Sequence, residues 1–253
     1  MAARKVDIVF CFDASESMRP HVDAIRRHVS ALTDWLRKSN FSWRIDFVAH
    51  HICGRTKAGM VYCDRSVFGD TVDLLYDAEE AHFFTKDIME FKSALSTISF
   101  AGDENMLYAL DLALDFPFGS VEDTQRVVVL LSDEAFETNE PSCLEKAREV
   151  FPKICQKVQD HHVTLFAAMP ISRGDMAEKL AKVDRADFVA LAKDANGNVQ
   201  FNASNWLHQL GRTISSSVIS RTSIVEHDDR ALFGQDTWSD FADEDVESIG
   251  DIK

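Results

Sequence analysis

Residues 6–12 read Val-Asp-Ile-Val-Phe-Cys-Phe, a nearly unbroken apolar run rich in β-branched and aromatic side chains. Such a run is a buried strand. Comparable runs return at 126–132 and 163–168, and the stretches between them carry helical periodicity. Strands alternating with helices in this way imply a mostly parallel sheet covered on both faces. The expected fold class is therefore α/β, a doubly wound, Rossmann-like sheet with helices on both sides.

The spacing predicts a helix over 20–38, where Val22, Ile25, Val29, Leu32 and Leu36 recur on one face. A second strand is expected from Phe41 to Ile52, with Met60 to Cys63 as its hairpin partner. Further on come a short apolar piece at 72–76, an extended Phe83-Phe84-Thr85 and a helix from Asp87 to Ile98. The rest reads as helix 106–116, strand 126–132, helix 142–160 kinked at Pro152, strand 163–168, helix 174–182, strand 187–191, a turn at Asn196-Gly197-Asn198 and a last helix over 204–221.

The first run ends in Asp13-Ala14-Ser15-Glu16-Ser17. Loops leaving the carboxyl ends of buried strands are where open α/β sheets place their ligands. One carboxylate and two hydroxyls, all oxygen donors, suit a small hard cation and leave coordination positions for an outside oxygen. Asp13 could instead cap the following helix, since Asp and Ser are favoured there. The run 126–132 also ends in an acid, Asp133. Between the two lies Ala101-Gly102-Asp103-Glu104-Asn105, just ahead of a helical stretch; Gly-Asp at such a place is also an ordinary helix start.

Asp13-x-Ser15-x-Ser17 resembles the first loop of the metal-ion-dependent adhesion site (MIDAS) of von Willebrand factor A domains. Asp133 resembles that family's third-loop aspartate. The family often has Thr in its second loop; here Asp103 and Glu104 stand in its place, as in members with an acidic second loop. The resemblance covers roughly residues 5–220. It implies a Mg²⁺ site, with Mn²⁺ or Ca²⁺ as alternatives, held by Asp13, Ser15, Ser17, Asp103 or Glu104, and Asp133. Ser15 and Ser17 would be direct ligands, and Asp13 and Asp133 could act through water. It further implies a partner protein that offers a Glu or Asp side chain. Intracellular members serve as adaptors beside AAA-type ATPases, kinases or phosphatases, and the Leu-Ser-Asp-Glu third loop looks most like bacterial, tellurite-resistance-type adaptors.

Composition narrows the partners. The chain has 253 residues, enough for one large domain and a tail, and its net charge of −15 argues against nucleic acid and against an anionic membrane surface. No apolar stretch approaches the roughly 20 residues of a membrane span. Five cysteines make an odd number without a tight pairing pattern, the usage of a reducing compartment, so a cytoplasmic location is expected. The composition shifts near residue 223, dividing a 1–222 domain from a 223–253 tail. From Glu226 onward ten acids face only Arg230 and Lys253, yet Trp238 and Phe241 are present. Such a tail is disordered, or a partner-docking segment or strap over its own domain, or a source of a carboxylate for the ion's open position in cis.

Other constellations carry less. His50, His51, Cys53 and Cys63 cluster across the expected hairpin, but adjacent strand residues point to opposite faces, which disfavours zinc and leaves a polar hairpin edge. His161 and His162 read as exposed loop residues, and Arg44 needs no special role. No phosphate-binding Gly-rich loop or nucleophile elbow is present. A strand-end Asp13 also invites a metal-dependent phosphohydrolase, but the general acid expected two residues on is replaced by Ser15. The expectation is a non-enzymatic, metal-dependent protein-binding adaptor. The alternatives are that phosphohydrolase and a structural module with a vestigial site.

Overall fold

The computed structural model describes residues 3–56, 59–71, 82–102, 105–134, 136, 141–170, 175–180, 182–195 and 199–219. The expected apolar piece at 72–76, the turn at 196–198, the second-loop acids Asp103 and Glu104 and the 223–253 tail lie outside them.

The first run forms β1 (Arg4–Asp13), buried continuously from Val6 to Asp13. It lies parallel to β2 (Phe41–Thr56) on one side and to β4 (Thr124–Leu131) on the other. Beyond β2, β3 (Gly59–Arg65) pairs antiparallel; beyond β4 come β5 (Val163–Met169) and β6 (Ala186–Ala190), both parallel. The six-stranded sheet has the order β3-β2-β1-β4-β5-β6. Strand order reverses at β1, so the crevice at a doubly wound sheet's switch point opens at the carboxyl ends of β1 and β4.

Both faces are covered, as the apolar runs require. Val9, Cys11, Val128, Leu130 and Leu165 pack with residues of α3 (Met106–Leu114), α4 (Pro141–Asp160) and α5 (Asp175–Leu180). On the opposite face Phe10 meets Phe91 of α2 (Ile88–Leu95) and Trp206 of α6 (Ala203–Ile219), with ring centroids 5.8 and 6.3 Å apart. Helix α1 (Arg19–Lys38) buries the expected Val22, Ile25, Val29, Leu32 and Leu36. It lies so near α6 that a Cβ on Gly211 would sit 3.1 Å from the Trp35 ring. Among the described residues no helix is long and apolar enough to cross a membrane.

Several expectations shift at element ends. Asp87 is the cap of α2 rather than its first residue, accepting from the Met89 N–H at 2.8 Å. Helix α4 runs on through Pro152. Other differences concern chemistry. Cys53 and Cys63, expected to be unpaired, form a disulfide across the β2–β3 hairpin, with Cα atoms 5.8 Å apart. His50, expected on a polar hairpin edge, is fully buried and bonded through Nδ1 to Asp64 on β3. His161 is half-buried, its Nδ1 2.9 Å from the Leu114 carbonyl. Arg44 has a definite role: it grips buried Asp7 with two hydrogen bonds of 2.8 and 2.6 Å.

Candidate metal centre

Strand β1 delivers Asp13 to the switch point with its side chain fully buried. One carboxylate oxygen accepts the Ser15 backbone N–H at 2.7 Å, and the other accepts the Ser132 hydroxyl at 3.0 Å. Asp13 is therefore no helix cap: the cap position of α1 is Met18, and no side chain bonds there. The chain leaves β1 through a single 3-10 turn, Glu16–Met18, before α1 begins. That turn brings Ser15 Oγ and Ser17 Oγ within 3.0 Å of each other. Ser15 is buried and Ser17 exposed, so the hydroxyl pair links the crevice floor to its mouth.

Strand β4 places Ser132, Asp133 and Glu134 alongside. Ser132 donates to Asp13 and accepts the Glu134 N–H at 3.1 Å. Asp133 is half-buried, and its Oδ1 is buried without a hydrogen-bond partner. An unmet buried acceptor carries its full desolvation penalty, which a ligand at this oxygen would relieve.

The second loop reaches the same place. The Ala101 N–H donates to the Ala14 carbonyl at 3.0 Å, and the Ala14 N–H donates to the His50 carbonyl at 2.9 Å. Gly102 has φ +65°, and a Cβ there would collide with the Ile52 carbonyl oxygen. Only glycine lets this loop lie so close to the end of β2. Asn105, not Asp103, caps α3, accepting the Tyr108 N–H at 3.2 Å.

Charge is crowded here. Burial pushes the Asp13 carboxyl up to about 6; its bonds from Ser15 and Ser132 oppose the rise, and the Asp133 charge adds to it. The His21 imidazole is pushed down by burial and back up by Asp133. The Cys11 thiol is pushed well up by burial and by the charges of Asp64 and Asp13. A cation would relieve the two carboxylates together.

The described loops thus bring together Asp13, Ser15, Ser17 and Asp133. Ser132 was missed by sequence reasoning, although a hydroxyl just before a strand-end acid was its available signal. The buried His50–Asp64 pair was missed as well. It depends on hairpin register, which places His50 opposite both Asp13 and Asp64. Among the described residues no three His, Cys, Asp or Glu side chains converge as a metal group. As donors, two hydroxyls with carboxylate would suit a hard cation rather than zinc.

No family model matches the chain, and no curated protein matches it. Among solved structures it is similar to a von Willebrand factor type A protein from Catenulispora acidiphila. The identity is 14% and the TM-score 0.46, over 84% of this chain and 43% of that one. The chain spans less than half the length of that protein.

Proposed function

We propose that this chain is a divalent-metal-dependent protein-binding module of the MIDAS kind, working as an adaptor within a multi-protein assembly. The observation that carries the reading is the state of Asp13. Both its oxygens are fixed from within, by Ser15 and Ser132; beside it the Ser15 and Ser17 hydroxyls lie 3.0 Å apart and the Asp133 Oδ1 is buried without a hydrogen-bond partner. Ser15, Ser17 and Asp133 would hold Mg²⁺, with Asp13 orienting the first loop and supplying charge; Asp103 or Glu104 would complete the set. The bound ion would supply a Lewis-acid position for one carboxylate oxygen of a partner's Glu or Asp. The Ser132 hydroxyl keeps Asp13 aligned, and the Ala14 and Ala101 backbone bonds hold the two loops in register. The partner would come from a class such as AAA-type ATPases, kinases or phosphatases, in the cytoplasm.

The phosphohydrolase alternative asks Asp13 to attack phosphorus. Its complete burial, with both oxygens engaged, stands against that role.

The test is calorimetric Mg²⁺ titration of the full chain and of Asp13→Ala and Ser17→Ala. Saturable binding that Asp13→Ala abolishes supports the reading, and partner capture should be released by EDTA. Ser17 is exposed, so its variant keeps the fold if Asp13→Ala does not. Absence of Mg²⁺, Mn²⁺ and Ca²⁺ binding by wild type would leave a structural module with a vestigial site.

A further inference from the structure

The hairpin disulfide stands beside the candidate centre rather than at a remote edge. Cys53 lies at the irregularity between Ile52 and Gly54, where the β2–β3 register shifts. The residue before it, Ile52, presents the carbonyl against which Gly102 of the second loop packs. The residue after Cys63 is Asp64, bonded to His50, and the His50 carbonyl accepts the Ala14 N–H of the first loop. Among the described residues β3 is an edge strand whose one sheet neighbour is β2. One covalent bond therefore ties the edge strand to the part of β2 on which both loops rest.

We propose that Cys53–Cys63 is a thiol–disulfide switch that sets the order of the two metal-binding loops, the oxidised form being the tight-binding one. This rests on the metal-dependent reading above. Reduction would be by a dithiol of the kind that keeps reducing compartments reduced. Its thiolate attacks the exposed Cys53 sulfur, the S–S bond breaks, and Cys63 leaves as a thiolate that takes a proton from water. The dithiol's second sulfur then displaces Cys53, which is protonated in turn. Two electrons and two protons pass to the protein, and the dithiol becomes a disulfide. The described free cysteines are poor competitors for this chemistry: Cys11 is fully buried with its thiol pushed well up, and the Cys155 thiol is pushed up by burial. Once the bond is open, the hairpin end can fray from the loops, as edge segments with few contacts do.

The experiment uses the full chain, oxidised and after dithiothreitol, with the Cys53→Ser/Cys63→Ser double variant as reference. Thiol counting after denaturation fixes each state: three free thiols of the five cysteines when oxidised, five when reduced. Mg²⁺ affinity is read by calorimetry, and hydrogen exchange is read at the Ala14 and Ala101 amides. Reduction should weaken Mg²⁺ binding by about fivefold or more, the low end of coupling between sites. It should speed exchange at both amides and reverse on reoxidation. The double variant should match the reduced protein and ignore dithiothreitol. Faster exchange without Mg²⁺ binding in either state would support the hairpin–loop coupling while defeating the metal reading. Five thiols under oxidising conditions, or equal affinity and equal exchange in the two redox states, would overturn the switch.

Discussion

Two aspartates on β1 are buried at opposite ends of the same strand, and they are treated differently. Asp7, near the amino end, receives a guanidinium: Arg44 donates at 2.8 and 2.6 Å, and the Gly119 N–H adds a third bond at 2.8 Å. Asp13, at the carboxyl end, receives an N–H and a hydroxyl, and its pKa is driven up to about 6. The fold neutralises the first charge itself and leaves the second short of a counter-charge. Desolvating a carboxylate without a cation is costly, and strongly perturbed carboxylates concentrate at functional sites. Asp46 supplies the control. It too is buried with its pKa raised to about 6, and its partners are the N–H groups of Phe47, Val67 and Phe84 at 2.8, 3.0 and 2.9 Å. It pins two loop segments to β2, and among the described residues no hydroxyl bonds to its carboxylate. A raised pKa alone therefore does not mark a site; the metal proposal rests also on the hydroxyl pair and the unpartnered Asp133 oxygen at the switch point.

The largest effect should come from the neutralised end. Asp7→Ala strands a half-buried guanidinium and the Gly119 N–H, and should cost roughly 3 kcal/mol in urea unfolding, the low end for breaking a buried pair. Mg²⁺ affinity of the molecules that remain folded should be unchanged. If it fell as far as in Asp13→Ala, the two ends of β1 would not be functionally distinct.

Asp13→Ala should do the reverse. We expect Mg²⁺ binding to weaken by about 100-fold or more, the upper range for residues that support a metal's ligands. Unfolding in EDTA should be little changed, because the uncompensated charge disappears along with its hydrogen bonds. Loss of several kcal/mol in EDTA would make Asp13 a structural residue like Asp7.

The Asp46 control predicts an effect of pH. Its folded pKa of about 6 lies above the ordinary aspartate value of 3.8, so the folded state holds the proton more tightly. The associated stabilisation is complete below the unfolded pKa and is lost as pH rises through about 6. Metal-free protein should therefore gain roughly 2–3 kcal/mol between pH 7 and pH 5 from Asp46 and Asp13 together, other groups aside. Saturating Mg²⁺ should remove the Asp13 share and leave that of Asp46. A pH profile indifferent to Mg²⁺ would separate Asp13 from the ion.

What was legible in the sequence follows from range. β1, β4 and β5 are continuous apolar runs buried on both faces, and α1 is one amphipathic stripe, so each declares itself within a short window. Asp13, Ser15, Ser17 and Asp133 sit at or just after the ends of those runs, so their placement beside the carboxyl ends of β1 and β4 was legible for the same reason. The His50–Asp64 bond, the Cys53–Cys63 bridge and the Asp7–Arg44 pair were not, because each depends on which residues face each other between strands. In the hairpin the register even shifts between Ile52 and Gly54, so that Cys63 lies opposite His51 and bonds to Cys53 two residues on. Ser132 escaped because one hydroxyl has no period; only the adjacency of β1 and β4 gives it Asp13 to hold.

The smallest expected effect discriminates most finely between a ligand and a supporting residue. Ser17 is exposed and its hydroxyl touches Ser15, whereas Ser132 is buried and its hydroxyl touches Asp13. If Ser17 contributes one neutral oxygen to the ion, Ser17→Ala should weaken Mg²⁺ binding by up to about tenfold. Its unfolding free energy in EDTA should stay within about 0.5 kcal/mol of wild type, as for surface changes generally. Ser132→Ala should weaken Mg²⁺ binding and also cost about 1 kcal/mol in EDTA, since it deprives Asp13 and the Glu134 N–H of a buried partner. Equal Mg²⁺ affinity for Ser17→Ala and wild type would remove Ser17 from the ligand set and shift the centre inward, onto Ser15, Asp13 and Asp133.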